Sequence, residues 1–277
     1  MKKMISLLLA VLLLGVLFAG CGGPGAAPSS NDDVSDPVDL LPEEDETPDD
    51  EPADVPAGDS ASGTGSGVAD SYTAYLDAKN LMISRLADGL SNNPETAFSA
   101  LSLLGVTMAD LALMPVALFG LGQVSMEAGL AFFGATDVTY SENGNSYTVS
   151  YADKEGIQYD FTGTYDAAAD ALVCTAKTNG VESIYSEYRK TSFGYVGQYY
   201  FINDDDTTSL YQLAVKGEDG TLGVSTVSGQ PAALTGGESV DFPKACAEWY
   251  SINGNIITGV TSDGTQLDFE YTPSATE

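Results

Sequence analysis

Histidine is absent from all 277 residues. Imidazole is thereby excluded as a general base, as a metal ligand and as a switch working near neutral pH. Basic residues are scarce too: Lys+Arg is 10 against Asp+Glu 40, a formal net charge of -30. A body this acidic repels nucleic acid and anionic lipid headgroups, so membrane contact has to come through apolar groups or a covalent lipid. The three cysteines include no CxxC spacing, which leaves a zinc or thioredoxin-like reading without support. Walker loop, dinucleotide fingerprint and G-x-S-x-G elbow are all missing. An enzyme would have to use carboxylates, hydroxyls or lysine. With 40 acids, two carboxylates facing each other somewhere is unavoidable and carries no information. The expectation is a non-enzymatic protein with no cofactor and no metal; a carboxylate-based hydrolase is the enzyme class that remains.

What is present begins with Lys2 and Lys3 and an apolar run from Met4 to Phe18, the basic and apolar regions of an export signal. The run falls short of the roughly 20 residues a spanning helix needs. Small residues Ala19 and Gly20 follow, then Cys21. The stretch Leu17-Phe18-Ala19-Gly20-Cys21 resembles the lipobox of bacterial lipoproteins, in which the chain is cleaved just before a cysteine whose sulfur carries diacylglycerol. Phe18 stands where that pattern usually has leucine. The resemblance covers residues 1–21 only. It implies that residues 1–20 are removed and that Cys21 anchors the protein to the extracytoplasmic face of the cell membrane, or to the outer membrane where the envelope has one. Gly22 offers no inner-membrane retention aspartate. Cys174 and Cys246 are left; outside the membrane they could form one disulfide or stand as two buried thiols.

Residues 21–67 comprise the lipidated cysteine and then, from Gly22 to Gly67, a segment dominated by Gly, Pro, Ala, Ser and acid, with runs Glu43-Glu44-Asp45-Glu46 and Asp49-Asp50-Glu51 and no lysine, arginine or aromatic. Such a segment buries too little apolar surface to offset its entropy, and reads as a disordered tether reaching about 40 Å. Residues 68–277 read as a single α+β domain, helical over 68–135 and a β-meander over 136–277. Asp70 is the expected N-cap of a first helix whose Tyr72, Leu76, Lys79, Ile83, Leu86 and Leu90 recur at three- and four-residue steps. Asn93-Pro94 is expected to open a second. From Phe98 to Phe133 the only charges are Asp110 and Glu127, and Pro115 predicts a break. Helices apolar nearly all round are buried on more than one side or face something apolar.

From Thr136 onward the period becomes two, with turn signals such as Asn143-Gly144, Asn179-Gly180 and Asn253-Gly254. The spacing predicts about ten strands in an antiparallel up-and-down meander. Phe193, Tyr195, Tyr199 and Phe201 are expected on one core face; the loop Ser228 to Lys244 could close over a sheet face or link two parts of the sheet, the second being the commoner arrangement. The turn at Asp204-Asp205-Asp206 admits a calcium reading, although aspartate also favours turns.

Apolar helices on such a meander, read as a half-barrel-like sheet, look like bacterial carriers that shelter acyl chains. That likeness is at fold level and carries no residues across. The expected function is a lipid-anchored binding module for an apolar or lipid-like ligand; the alternative is a surface protein-protein interaction or envelope-structural lipoprotein. An internal apolar cavity favours the first and an exposed apolar patch the second. Replacing Cys21→Ser is expected to abolish metabolic labelling with a fatty-acid probe; undiminished labelling would overturn the anchor.

Overall fold

The computed structural model describes residues 66–93, 96–97, 99–202 and 207–273. The Cys21 anchor, the tether up to residue 65 and the Asp204 to Asp206 turn lie outside the described residues. What is described is α+β: helices followed by one open antiparallel sheet. Helix α1 is Ser66–Asn92, α2 is Leu104–Ala112 and α3 is Gly122–Phe132, with 3-10 turns at Ser99–Leu103 and Met114–Leu118. The strands are β1 Thr136–Asn143, β2 Ser146–Ala152, β3 Gln158–Asp166, β4 Ala171–Thr178, β5 Val181–Lys190, β6 Tyr195–Ile202, β7 Thr208–Lys216, β8 Asp219–Val227, β9 Glu248–Asn253, β10 Ile256–Val260 and β11 Gln266–Glu270. They pair strictly in sequence order; short turns between period-two segments dictate most of these pairings, while β8 and β9 are joined by the longer segment 228–247.

Helix α1 runs across the strands. Gly67 lies beside Tyr165 of β3, and Ser71 meets Tyr188 of β5 at 2.6 Å. Further along, the Tyr75 ring stacks on Tyr188 at 4.5 Å between centroids and sits 5.7 Å from Tyr195 of β6. Met82 reaches Gly220 of β8, and Gly89 abuts Ile257 of β10 and Tyr271 just past β11. Its 27 residues span about 40 Å, close to the width of the sheet from β3 to β11. The helix begins at Ser66, so Asp70 is an exposed residue inside its first turns and not its N-cap. At its other end the Thr96 hydroxyl donates to the Leu90 carbonyl at 2.8 Å, satisfying one of the carbonyls a helix leaves unpaired.

The chain then returns the other way. Gly105 of α2 lies against Tyr211 of β7, Phe119 stacks on Tyr147 of β2 at 5.3 Å, and Gln123 of α3 reaches β1. Pro115, near the start of the second 3-10 turn, breaks the helical path where the sequence predicts it. One apolar cluster joins buried residues of both legs, among them Leu86, Val106, Phe119 and Leu130, to inward residues from every strand, from Tyr140 of β1 to Phe269 of β11.

Two expectations are corrected on the opposite face of the sheet. The segment 228–247 does not link separate parts of the sheet, because β8 and β9 pair directly. It folds over the outer face, where Leu234 packs with Val196 and Ala214. The buried Glu187 carboxylate anchors it by accepting from the Leu234 N–H at 3.1 Å, from Gln198 Nε2 at 3.0 Å and from the Tyr185 hydroxyl at 3.0 Å. Phe193 belongs to this outer cluster, while Tyr195, Tyr199 and Phe201 belong to the inner one. The alternation breaks at Gly194, whose φ of 152° only glycine adopts readily.

Gly197 of β6 faces the Tyr75 hydroxyl so closely that an added Cβ would overlap it. The ring cannot retreat, being buried and stacked. Gly197→Ala is expected to cost about 1–3 kcal/mol in urea denaturation, as overpacking does. An unchanged midpoint would contradict the contact between α1 and the sheet.

Candidate functional site

The residues that organise the helical layer are polar ones inside an apolar core. Lys79 of α1 is fully buried and pairs with Asp110 of α2, whose side chain keeps 21% exposure. Its ammonium also lies 5.5 Å from the Tyr199 ring centroid and 5.7 Å from that of Tyr75, two cation-π contacts. The Tyr75 and Tyr199 hydroxyls share a hydrogen bond of 2.8 Å. One turn back, the Ser71 hydroxyl donates to Asp170, which also accepts from Tyr165 at 3.2 Å and pairs with Lys190 at 3.2 Å. These contacts pin the outward leg to the sheet and, through Asp110, the return leg to the outward one. Burial pushes the Lys79 ammonium below its ordinary value and the Asp110 carboxyl above its own; their mutual attraction opposes both shifts.

The return leg is apolar on two sides. Leu103, Val106, Ala109 and Leu113 of the first part, and Met126 and Leu130 of α3, point into the core. Exposed Leu104, Thr107 and Leu111 lie three and four apart on α2, with Leu101 one turn earlier. On α3 and the residue before it, Leu121, Val124, Ala128, Ala131 and Phe132 are exposed and form a continuous stripe at helical spacing, flanked by exposed Ser125 and Glu127. Val124 is 79% exposed and Phe132 83%, values far from those of a covering layer. Glu127 is the single charge of α3, and Gln123 Nε2 donates to it. Sequence reasoning finds this segment by its lack of charge. It could not tell the inward side from the outward one, because both sides carry the same residue types.

Two surface clefts, of about 470 and 360 Å³, lie elsewhere. The first is lined by Gly67, Val68, Tyr147 and Tyr165 with the turns at 144–145 and 166–168; the second by Gly89, Asn92, Asn93 and residues 269–272. Neither is bounded by the segment 98–133 on which the apolar-ligand expectation rests. Cys174 faces the core, and Cys246 lies on the opposite sheet face, its sulfur 3.4 Å from Gln212 Oε1; both are buried free thiols. Burial pushes the Cys174 thiol well up, the reverse of what a reactive nucleophile requires. Among the described residues no cluster of acids or cysteines could hold a metal ion, and no helix is long and apolar enough to cross a membrane. Comparison with family models, curated proteins and solved structures finds no match.

The buried pair yields a prediction with a definite sign. Lys79→Met alone leaves an uncompensated carboxylate and is expected to cost about 3 kcal/mol, the low end for buried pairs because Asp110 keeps some exposure. Lys79→Met with Asp110→Leu is expected to return to within about 1 kcal/mol of the parent, since burial opposes both charges. With its value raised in the folded chain, Asp110 binds its proton there first, so lowering the pH through the carboxylate range adds stability at this residue. Denaturant titrations at neutral and acid pH check both signs; a double variant weaker than the single would contradict them.

Proposed function

We propose that this is a lipid-anchored extracytoplasmic protein, held by Cys21, that works without catalysis by docking a protein partner onto the outward stripes of α2 and α3. In this reading residues 21–67 carry the domain away from the bilayer, and the sheet curls as a half-barrel around the two helical legs. The observation that carries it is the stripe Leu121, Val124, Ala128, Ala131 and Phe132, solvent-exposed on a helix whose other side already fills the core. Interface centres are distinguished by depletion of charge and enrichment in large apolar side chains. Here two acids in residues 98–133 stand within a chain of net charge -30. The partner fitting this arrangement has an apolar centre and a basic rim, because exposed Glu127 borders the stripe and the net charge of the chain complements positive charge. An acyl ligand or the membrane itself is the competing occupant, and the test separates them.

A photo-crosslinking side chain placed at Val124 in the full-length protein, in its native envelope, is expected to yield a discrete protein adduct. Leu121→Asp with Phe132→Asp should abolish it without changing the melting temperature. An adduct with lipid alone, or none at all, would overturn the docking reading.

A further inference from the structure

An open sheet has two edges, and this one treats them differently. The residue pair Asn143 and Ser146 closes the β1-β2 hairpin, so the even residues of β1 direct their backbone groups outward. Gln123 of α3 meets them there. Its Oε1 accepts from the Tyr140 N–H at 2.7 Å and its Nε2 donates to the Val138 carbonyl at 3.1 Å. One side-chain amide thus stands in for a neighbouring strand's peptide, and the Asp137 backbone, with φ of 55°, and a register shift further disrupt that edge. Such devices prevent edge pairing.

Among the described residues the other edge has none of them. Tyr271 N–H donates to Asn255 O and Thr261 N–H to Thr265 O, which fixes the odd residues of β11 as those bonded to β10. Gln266, Asp268 and Glu270 therefore turn their N–H and C=O groups outward, and among the described residues no strand pairs with them. Their side chains lie exposed on the outer face, while Leu267 and Phe269 point inward beside the core. Next to this edge, on the inner side, opens the 360 Å³ cleft between the end of α1 and residues 269–272.

We propose that β11 is a second interaction site, which takes an extended segment of a partner protein as a twelfth strand. The register states its chemistry. Side chains opposite Asp268 and Glu270 share their face and are basic; those opposite Leu267 and Phe269 are apolar, and one of them enters the cleft beside Phe269. The site takes a strand that alternates lysine or arginine with apolar residues, and it is independent of the docking face on α2 and α3.

The probe is a short synthetic peptide of alternating lysine and valine, titrated into the full mature chain in detergent and followed by hydrogen exchange. Saturable binding with new protection at 266, 268 and 270 is expected. Asp268→Lys with Glu270→Lys should weaken it about tenfold and favour a glutamate-valine peptide instead, as two cross-strand charge pairs change sign. Asp268→Asn and Asp268→Pro remove the same charge, but only proline removes the outward N–H, and at an edge it spares the β10 pairing. Asp268→Pro should keep the fold and lose the binding that Asp268→Asn largely retains. Equal binding by the two variants, protection of those amides in the free protein, or no saturable binding would overturn the proposal.

Discussion

The architecture depends on one helix lying crosswise over a sheet built in strict sequence order. A meander of this kind brings only neighbouring strands together, so nothing in its hydrogen bonding relates β3 to β10. Helix α1 does so by touching β3, β5, β6, β8 and β10 in succession along one face. That face carries Tyr75, Met82, Leu86 and Leu90, all buried, so each strand's inward residues find partners on the same element. Fully burying side chains of this size is worth roughly 1.5–3 kcal/mol each relative to exposure. The return leg adds a second row, and together they give eleven strands one core.

Polar groups inside that core set the register between layers. Apolar contacts alone would let α1 slide along the sheet at little cost, because the hydrophobic effect is non-directional. The bonds from Ser71, Tyr75 and Lys79 to Asp170, Tyr188, Tyr199 and Asp110 remove that freedom, since a shift would strand buried polar atoms. Through Lys79 and Asp110 the same network determines which side of α2 turns outward. The exposed leucines are in this sense a product of the core: with Asp110 held inward, Leu104 and Leu111 have nowhere to go but solvent.

Much of the fold was legible in the sequence, for physical reasons. Period-two runs separated by Asn-Gly turns specify antiparallel neighbours, and the meander follows. The break at Pro115 follows from a missing N–H and a steric clash. Other features were hidden. The start of α1 is not legible at Asp70, because aspartate is as acceptable in an exposed helical turn as at a cap. Alternation alone assigns Phe193 to the inner face because it presumes an unbroken strand, and Gly194 breaks it. The cover made by the segment 228–247 depends on Glu187, a carboxylate whose burial by neutral donors no local pattern announces. The candidate docking face was half legible: the charge-poor segment stood out, but which side met solvent depended on contacts distant in sequence. The edge at β11 was invisible until the register was known.

Accessibility tests whether the outward stripe of α3 is covered in the cell. A cysteine placed at Val124 is the one thiol of the folded domain open to reagents, since Cys174 and Cys246 are buried. A maleimide is expected to label this thiol rapidly in purified protein and slowly in intact envelopes, while a cysteine at the exposed polar position Thr226 reacts alike in both. Equal labelling of Val124→Cys in the two settings would contradict it.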